Sequence, residues 1–209
     1  MALVKARKGG TAAPAEERAV VDPRGGLTDP DPAARRQAAH ALAHSPAHNS
    51  DTVAALAERL TVETEPGVRE AILTALVRIG SGDAAAALLP FLDREDAGLR
   101  NAVLESLQQM PVAVVVPAVL PLLEKADSDL RIFAVQLLGK LVHPDRLGWL
   151  TAVLARDPHV NVCLAAVEAL AETGNPEVLP ALERLVGRFP DDPVVLFSVD
   201  AARRRFRGG

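Results

Sequence analysis

The segment Glu65-Pro-Gly-Val-Arg69 decides the fold, because variants of it recur along the chain at nearly constant spacing. Each copy has an acidic residue, two linker-like residues, a small or apolar residue and then an arginine. The other copies are Asp31-Pro-Ala-Ala-Arg35, Asp96-Ala-Gly-Leu-Arg100 and Asp127-Ser-Asp-Leu-Arg131. Successive arginines are 34, 31 and 31 residues apart, and a leucine follows each arginine seven residues later. A period of this size indicates that each period is one structural unit of a repeat protein.

Two more copies are incomplete. Asp157-Pro-His-Val-Asn161 lacks the arginine, so the register of its helix stays open, and Asp191-Asp-Pro-Val-Val195 begins the last helix. Between the copies lies a second recurring segment with apolar residues at helical spacing. It reads Val53-Ala-Ala-Leu56, Leu89-Pro-Phe-Leu92, Leu120-Pro-Leu-Leu123, Leu147-Gly-Trp-Leu150 and Leu179-Pro-Ala-Leu182.

Short breaks containing Gly or Pro separate the two kinds of segment, so each period is a helical hairpin with a first helix A and a second helix B. One hairpin cannot bury its apolar face alone, so neighbouring hairpins must stack. We therefore predict an all-α, right-handed α-solenoid of about five hairpins plus a C-terminal capping helix. It occupies residues 27–206; residues 1–26 are predicted to be a disordered N-terminal arm, and 207–209 a tail.

The acid-Pro-x-Val-Arg starts and the Leu-Pro-x-Leu second helices resemble HEAT repeats of the short type first associated with phycobilisome lyase subunits. The resemblance implies a non-catalytic scaffold or adaptor that binds another protein on its concave face, in a bacterial sensory or regulatory complex. The alternative that it implies is a bilin lyase or chaperone-like subunit acting on a phycobiliprotein. Because the repeat is a widely reused scaffold, the resemblance indicates the fold more sharply than the function.

The recurrent acids and arginines are interpreted as a structural ladder. An acid just before helix A accepts hydrogen bonds from free N–H groups at the helix start. An arginine one turn later reaches the acid of the neighbouring hairpin. The expected members are Asp31, Arg35, Glu65, Arg69, Asp96, Arg100, Asp127 and Arg131.

The third position of the Leu-Pro-x-Leu segment is the candidate partner-binding row. Stacking the B helices brings Ala55, Phe91, Leu122, Trp149 and Ala181 into one line. Large apolar anchors with a charged rim are typical of protein-binding hot spots. The expected rim consists of Asp93, Arg94, Glu124, Lys125, Glu183 and Arg184. The other interpretation is that the row packs between the A and B helices, and both stay open.

Catalytic and metal-binding patterns do not emerge from the residues. None of the 5 histidines is followed by glutamate, as in the iron-binding pairs of the HEAT-like deoxyhypusine hydroxylases. His40, His44 and His48 recur at steps of four, but no Cys or acid completes a tetrahedral set nearby. Cys163 follows His159 by four residues within an apolar helix, which favours a buried structural cysteine. We expect no enzyme activity, no cofactor and no metal.

Charge and composition narrow the partners. Residues 27–200 hold 14 basic and 24 acidic residues, whereas the ends of the chain are basic. An acidic body repels a phosphate backbone, so nucleic acid is not an expected partner. No run of about 18 apolar residues predicts a membrane span. A single cysteine and no signal sequence indicate the cytoplasm, and 19 arginines against 4 lysines suggest a GC-rich bacterial genome. The uncapped ends of a solenoid leave a homodimer open.

Overall fold

The computed structural model describes residues 23–45 and 49–207. Within these ranges the chain forms twelve α-helices and no β-strand. The helices are α1 Pro23–Gly26, α2 Pro32–Ala43, α3 Ser50–Val62, α4 Pro66–Ile79, α5 Gly82–Leu88, α6 Ala97–Gln109, α7 Val112–Val119, α8 Ser128–Lys140, α9 Arg146–Arg156, α10 Val160–Glu172, α11 Leu179–Arg188 and α12 Pro193–Arg207. Three 3₁₀ segments lie at Leu89–Asp93, Leu120–Glu124 and Pro176–Val178.

Five hairpins and a final helix account for this order. The A helices are α2, α4, α6, α8 and α10, the B helices are α3, α5, α7, α9 and α11, and α12 packs on α10 and α11. Each A helix contacts the A helix of the next hairpin, which stacks the units along one direction. The molecule is therefore an all-α solenoid.

The ends of the predicted repeat domain need correction. Residues 23–26, assigned above to the N-terminal arm, form α1, which packs on α2. Residues 1–22 lie outside the described residues. Arg207, assigned to the tail, is the last residue of α12.

Three of the recurrent acidic residues cap the start of an A helix. The side chain of Asp31 accepts from the N–H of Ala33 at 3.0 Å, and Asp96 accepts from Leu99 at 3.0 Å. Asp127 caps α8 in the same way. Such caps pair N–H groups that have no partner within the helix. Glu65 occupies the cap position of α4 but makes no such bond with its side chain.

The periodic leucines form the core. Leu76, Leu107 and Leu138 are 0% exposed, and Leu42 is 3% exposed. The buried residues fall into two clusters, one built from residues 27–141 and the other from residues 135–202. Helix α8 contributes to both clusters. It packs on α10 and supplies Val135 to the C-terminal cluster, and its residues Ala134, Leu137 and Leu138 belong to the N-terminal cluster.

In each of the first four A helices, an arginine holds the preceding loop. Nη1 of Arg131 donates to the backbone oxygens of Lys125 and Ala126 at 2.8 and 2.9 Å. Arg35 does the same with the oxygens of Asp29 and Pro30. The common role of these arginines is thus to pair carbonyl groups in the turn before their own helix, which satisfies buried backbone acceptors.

The predicted ladder between hairpins forms in a modified way. Arg69 contacts Asp96 of the next hairpin at 2.8 Å. Arg35, however, pairs with Glu63 and not with the expected Glu65, because Glu63 at the end of α3 is fully buried and points toward α2.

Arg100 departs from the ladder. It donates to the backbone oxygen of Arg94, and its guanidinium lies 5.9 Å from the centre of the Phe133 ring. The neighbouring rung instead runs from Arg131 to Asp157, at 2.7 Å.

Candidate partner-binding groove

Most of the candidate row is buried. Phe91 and Leu122 are 4% and 7% exposed, and Ala181 is 6% exposed. Their segments explain this burial: the 3₁₀ turn Leu89–Asp93 packs against α6, and the turn Leu120–Glu124 packs against α8. Phe91 and Leu122 are therefore core residues, which corrects the expectation of an exposed apolar strip along the B helices.

Trp149 differs from the rest of the row because it is only half-buried. Its ring stacks on that of His143, with 4.5 Å between the ring centres and 29° between the planes. Nδ1 of His143 accepts the backbone N–H of Asp145 at 3.1 Å, which fixes the imidazole in the turn before α9. The indole is thus held in one orientation by a neighbouring ring.

A groove of about 750 Å³ opens beside Trp149. It lies between the 3₁₀ turn Leu120–Glu124, which ends the third B helix, and α9, the fourth B helix. We name it the Trp149 groove. Its lining consists of Leu120, Leu123, Glu124, Lys125, Ala126, Arg131, Trp149, Ala152, Val153, Arg156, Asp157 and Pro158.

The floor of the Trp149 groove is apolar. Leu120 and Leu123 are half-buried on one side, and Ala152 is half-buried on the other, one turn beyond Trp149. Val153 closes the base. An apolar side chain of a partner that packs against these half-buried residues and the indole ring would be shielded from water, as anchor residues of protein interfaces are.

Charged residues line the edge of the same groove. Glu124, Lys125 and Arg156 are exposed. By contrast, Arg131 and Asp157 form a bidentate pair at 2.7 and 3.1 Å, with both side chains largely buried. The hydrogen bond to Asp157 raises the pKa of Arg131, so this guanidinium keeps its charge and stays engaged with Asp157. The charges left for a partner are those of the exposed edge.

Proline placement shapes the groove. Pro111 precedes α7, Pro117 lies inside it, and Pro121 is the second residue of the 3₁₀ turn that ends this B helix. Because proline lacks an N–H and fixes its backbone, α7 is limited to 8 residues before the chain tightens into the turn. Helix α9 is a continuous α-helix of 11 residues, so two differently shaped segments border the groove.

Only part of the predicted charged rim lies in the Trp149 groove. Glu124 and Lys125 join Trp149 in the groove, whereas the other four charged residues lie outside its lining. Arg94 is exposed and its guanidinium lies 5.8 Å from the centre of the Phe91 ring. Glu183 pairs with Arg203 at 3.5 Å. Asp93 and Arg184 are exposed.

Eight lining residues were not among the candidate site residues of the sequence argument. They are Leu120, Leu123, Ala126, Ala152, Val153, Arg156, Asp157 and Pro158. The spacing of Ala152 and Val153, three and four residues after Trp149, places them on the same helix face and could have indicated them. The stacking of the B helices brought Leu122 and Trp149 into one line, but it did not indicate that the turn Leu120–Glu124 leaves a groove beside α9.

The histidine and cysteine candidates differ in burial and in hydrogen bonding. His44 uses Nδ1 in a hydrogen bond of 2.8 Å with the backbone oxygen of His40, and His48 lies outside the described residues. Cys163 is 0% exposed, and burial raises the pKa of its thiol. His159 is exposed at the start of α10.

The described ranges contain neither a metal-binding cluster nor a helix suited to cross a membrane. In residues 23–45 and 49–207, no group of three or more His, Cys, Asp or Glu side chains has a geometry that could hold a metal ion. Over the same ranges, no helix combines the length and the apolar character that crossing a membrane requires.

Comparisons with known proteins identify the family. A model of HEAT repeats matches residues 25–108 and 116–200. The chain therefore belongs to the HEAT-repeat family. No curated protein matches the sequence significantly.

Several solved structures are similar. Human deoxyhypusine hydroxylase in complex with glycerol is 19% identical, with a TM-score of 0.44, over 90% of this chain and 84% of that one. A designed armadillo repeat protein in complex with a (KR)4 peptide is 18% identical, with a TM-score of 0.44, over 88% and 98%. The phycocyanin lyase complex of Nostoc sp. PCC7120 is 19% identical, with a TM-score of 0.37, over 94% and 100%. At these identities the similarity concerns the helical-repeat fold and extends to no activity.

Proposed function

We propose that this protein is a non-catalytic scaffold or adaptor that binds a segment of another protein in the Trp149 groove. The observation that carries the proposal is the meeting of an apolar floor, an oriented indole and exposed charges in one groove. The HEAT-repeat fold supports a binding role, because stacked repeats present extended surfaces. The composition suggests the bacterial cytoplasm as its setting, and the resemblance to short HEAT repeats suggests a sensory or regulatory complex.

The groove chemistry defines the partner segment. An apolar side chain, aromatic or branched, would pack on the free face of Trp149 and displace water from Leu123 and Ala152. Flanking charges of the segment would meet Glu124 on one side and Lys125 or Arg156 on the other, which sets the direction of the bound segment. A helix or a short turn with one central anchor fits this arrangement.

The lining supports binding rather than covalent chemistry. Its buried ionisable groups, Arg131 and Asp157, neutralise each other through two hydrogen bonds. The exposed Glu124, Lys125 and Arg156 are in solvent contact. Surface charges of this kind steer and orient a partner more than they add affinity.

Co-purification from the native cell, followed by calorimetry with the purified partner, tests the proposal. Trp149→Ala removes the anchor contact, and Ala152→Arg fills the floor while Trp149 stays in place. Val62→Ala is the matched control, because Val62 is an exposed apolar residue on α3, far from the groove. We expect a stoichiometric partner that binds the unmodified chain and Val62→Ala, and that binds both groove variants roughly 30-fold or more weakly.

Equal binding by all four proteins would contradict the proposal. Circular dichroism and thermal melting establish that each variant is folded before binding is compared. A partner that carries a bilin pigment, or a change in the visible spectrum of added pigment, would instead support the lyase alternative.

A further inference from the structure

A second opening lies on the A-helix side of the solenoid, between α4 and α6. It has a volume of about 520 Å³, and we name it the α4–α6 cleft. The apolar part of its lining consists of Leu73, Val77, Leu99 and Ala102, of which Leu73 and Leu99 are buried. The cleft shares no lining residue with the Trp149 groove, so the two are separate surfaces.

The side chains at the helix contacts explain why this cleft exists. In the repeat, the residue eight positions after the arginine of one A helix faces the residue six positions after the corresponding residue of the next. Where α8 packs on α10, these positions hold Gly139 and Ala169, and a Cβ atom added to Gly139 would touch Ala169. Where α2 packs on α4, they hold Ala43 and Ala75, which are both buried. Small side chains at this contact let neighbouring A helices approach closely.

Between α4 and α6, the same two positions hold larger residues, Val77 and Ser106. Both of these residues line the cleft. Because the distance between two helix axes depends on the side chains at their contact, this pair keeps α4 and α6 apart. The opening is therefore a consequence of the sequence of these two helices.

Two glutamates carry the available charge of the cleft. Glu70 on α4 and Glu105 on α6 are exposed in its lining. Among the residues that the structure describes, neither carboxylate forms an ion pair. By contrast, the guanidinium of Arg69 pairs with Asp96 at 2.8 Å at the start of α6. The charge that a partner would meet in the cleft is therefore negative.

The two glutamates lie diagonally across the cleft. Because the arginines of α4 and α6 are 31 residues apart, Glu70 is level with Asn101, and Thr74 is level with Glu105. The two carboxylates are thus about one turn, or 6 Å, apart along the helix direction, on helices whose axes are roughly 10 Å apart. Leu73 and Ala102 lie at the levels between them. A segment that lies along the cleft would meet an apolar centre and one carboxylate on each flank.

We propose that the α4–α6 cleft binds a basic helical segment of a partner protein. The segment carries an aliphatic side chain at its centre and a lysine or arginine three or four residues before and after it, a spacing that places the two cations on opposite flanks of a helix. The aliphatic side chain packs on Leu73 and Ala102, and the cations face Glu70 and Glu105. The inference goes beyond the proposed function and does not depend on the Trp149 groove.

Selection from a library of random peptides displayed on phage tests this inference. The peptides are about 12 residues long, because a helix of that length spans about 18 Å and covers the cleft. Each round discards phage that bind the Glu70→Lys/Glu105→Lys double variant and keeps phage that bind the unmodified chain. We expect the selected peptides to carry lysine or arginine on both sides of an aliphatic residue. A selection that retains no peptide, or peptides without an excess of positive charge, overturns the inference.

Fluorescence anisotropy with one selected peptide then measures the role of each carboxylate. Glu70→Gln and Glu105→Gln are each expected to weaken binding roughly 3-fold, and the double lysine variant roughly tenfold or more. Exchanging both cations of the peptide for glutamate is expected to reverse the preference, so that this peptide binds the double variant more tightly than the unmodified chain. An affinity that is the same for all of these variants contradicts the inference.

Two further variants show where the peptide binds. Glu58→Gln removes an exposed carboxylate of α3 that lies outside the cleft, and Trp149→Ala alters the other groove. Both are expected to bind the selected peptide as the unmodified chain does, after circular dichroism has shown that every variant is folded. A peptide that is lost with Trp149→Ala binds in the Trp149 groove, which refutes the inference about the cleft and leaves the proposed function intact.

Discussion

Arg188 and Cys163 lie together at the place that a single arginine fills in earlier hairpins, with Nη1 of Arg188 3.7 Å from Sγ of Cys163. In the fourth hairpin, Arg131 donates to the backbone oxygen of Lys125, six residues before it. The counterpart of Arg131 in α10 is Cys163. The backbone oxygen six residues before Cys163 belongs to Asp157, and it accepts from Nη2 of Arg188 at 2.6 Å. The guanidinium of the fifth hairpin therefore comes from helix B rather than helix A.

Exchanging these two residues tests their equivalence. Arg188→Ala is expected to lower the free energy of unfolding by about 2 kcal/mol, because the backbone oxygens of Leu154 and Asp157 lose a partner in a partly buried site. Cys163→Arg alone is expected to destabilise the chain too, because two guanidinium groups then compete for one site. The double variant restores the arrangement of the earlier hairpins, and urea unfolding should show it more stable than the sum of the two losses.

Arg184→Ala is the matched control for this exchange. Arg184 is exposed one turn earlier on α11, and its removal is expected to change the free energy of unfolding by less than about 0.5 kcal/mol. Strict additivity of the two single changes would show that Arg188 does not substitute for the missing arginine.

The fold could be predicted because its signals are local and repeated. The acid at the helix start and the leucine seven residues after the arginine mark the same positions in four hairpins, and each copy strengthens the others. The fifth hairpin keeps only the leucine, because Leu170 follows Cys163 by seven residues. Its cap position holds His159 instead of an acid, and its arginine position holds Cys163, which contacts the guanidinium of Arg188 instead.

The candidate site could be predicted only in part. Trp149, Glu124 and Lys125 line the same groove, and their related positions in adjacent hairpins are what the sequence shows of this arrangement. Phe91 and Leu122 are buried because the short 3₁₀ turns pack against the A helices that follow them. This packing is a tertiary contact, and the spacing of apolar residues along one helix does not predict it.

Lowering the pH is expected to weaken the ion pair between Arg35 and Glu63, the first pair of the ladder. Burial by itself raises the pKa of Glu63, but hydrogen bonds from Arg35, from the N–H of Glu65 and from Arg59 outweigh it and lower the pKa to about 2. A carboxyl group whose pKa is lower in the folded chain stabilises the fold above its unfolded pKa, near 4.5, and this contribution disappears as the pH falls toward 2.

Urea unfolding between pH 7 and pH 3 measures this effect. Glu63→Gln is expected to cost about 2–3 kcal/mol at pH 7 and to reduce the loss of stability on acidification. Glu58→Gln, an exposed position on the same helix, should keep both the stability and the pH dependence of the unmodified chain. An unchanged pH profile in Glu63→Gln would show that this carboxylate is not the group that titrates.

Gly139 permits the close contact between α8 and α10. A Cβ atom at this position would lie 2.6 Å from Cβ of Ala169, which is shorter than van der Waals contact. Gly139→Ala is therefore expected to lower the free energy of unfolding by about 1–3 kcal/mol, despite the better helix propensity of alanine.

Gly148 in α9 serves as the control for this change, because a Cβ atom there meets nothing within 4 Å. Gly148→Ala should stabilise the chain by up to about 1 kcal/mol through helix propensity alone. Opposite signs in differential scanning calorimetry are the expected result. A stabilising Gly139→Ala would mean that α8 and α10 can separate at no cost.

Phe91 and Trp149 occupy the same position in their Leu-x-x-Leu segments, yet they are expected to respond differently to truncation. Phe91→Ala should lower the free energy of unfolding by about 3–4 kcal/mol, because it leaves a cavity in the core between the 3₁₀ turn and α6. Trp149→Ala removes a half-buried ring whose outer face is in the groove, so the loss should stay near 1–2 kcal/mol. Urea midpoints at constant m-value measure both. Equal losses would mean that Trp149 is as much a core residue as Phe91, and that the groove lacks an anchor for a partner.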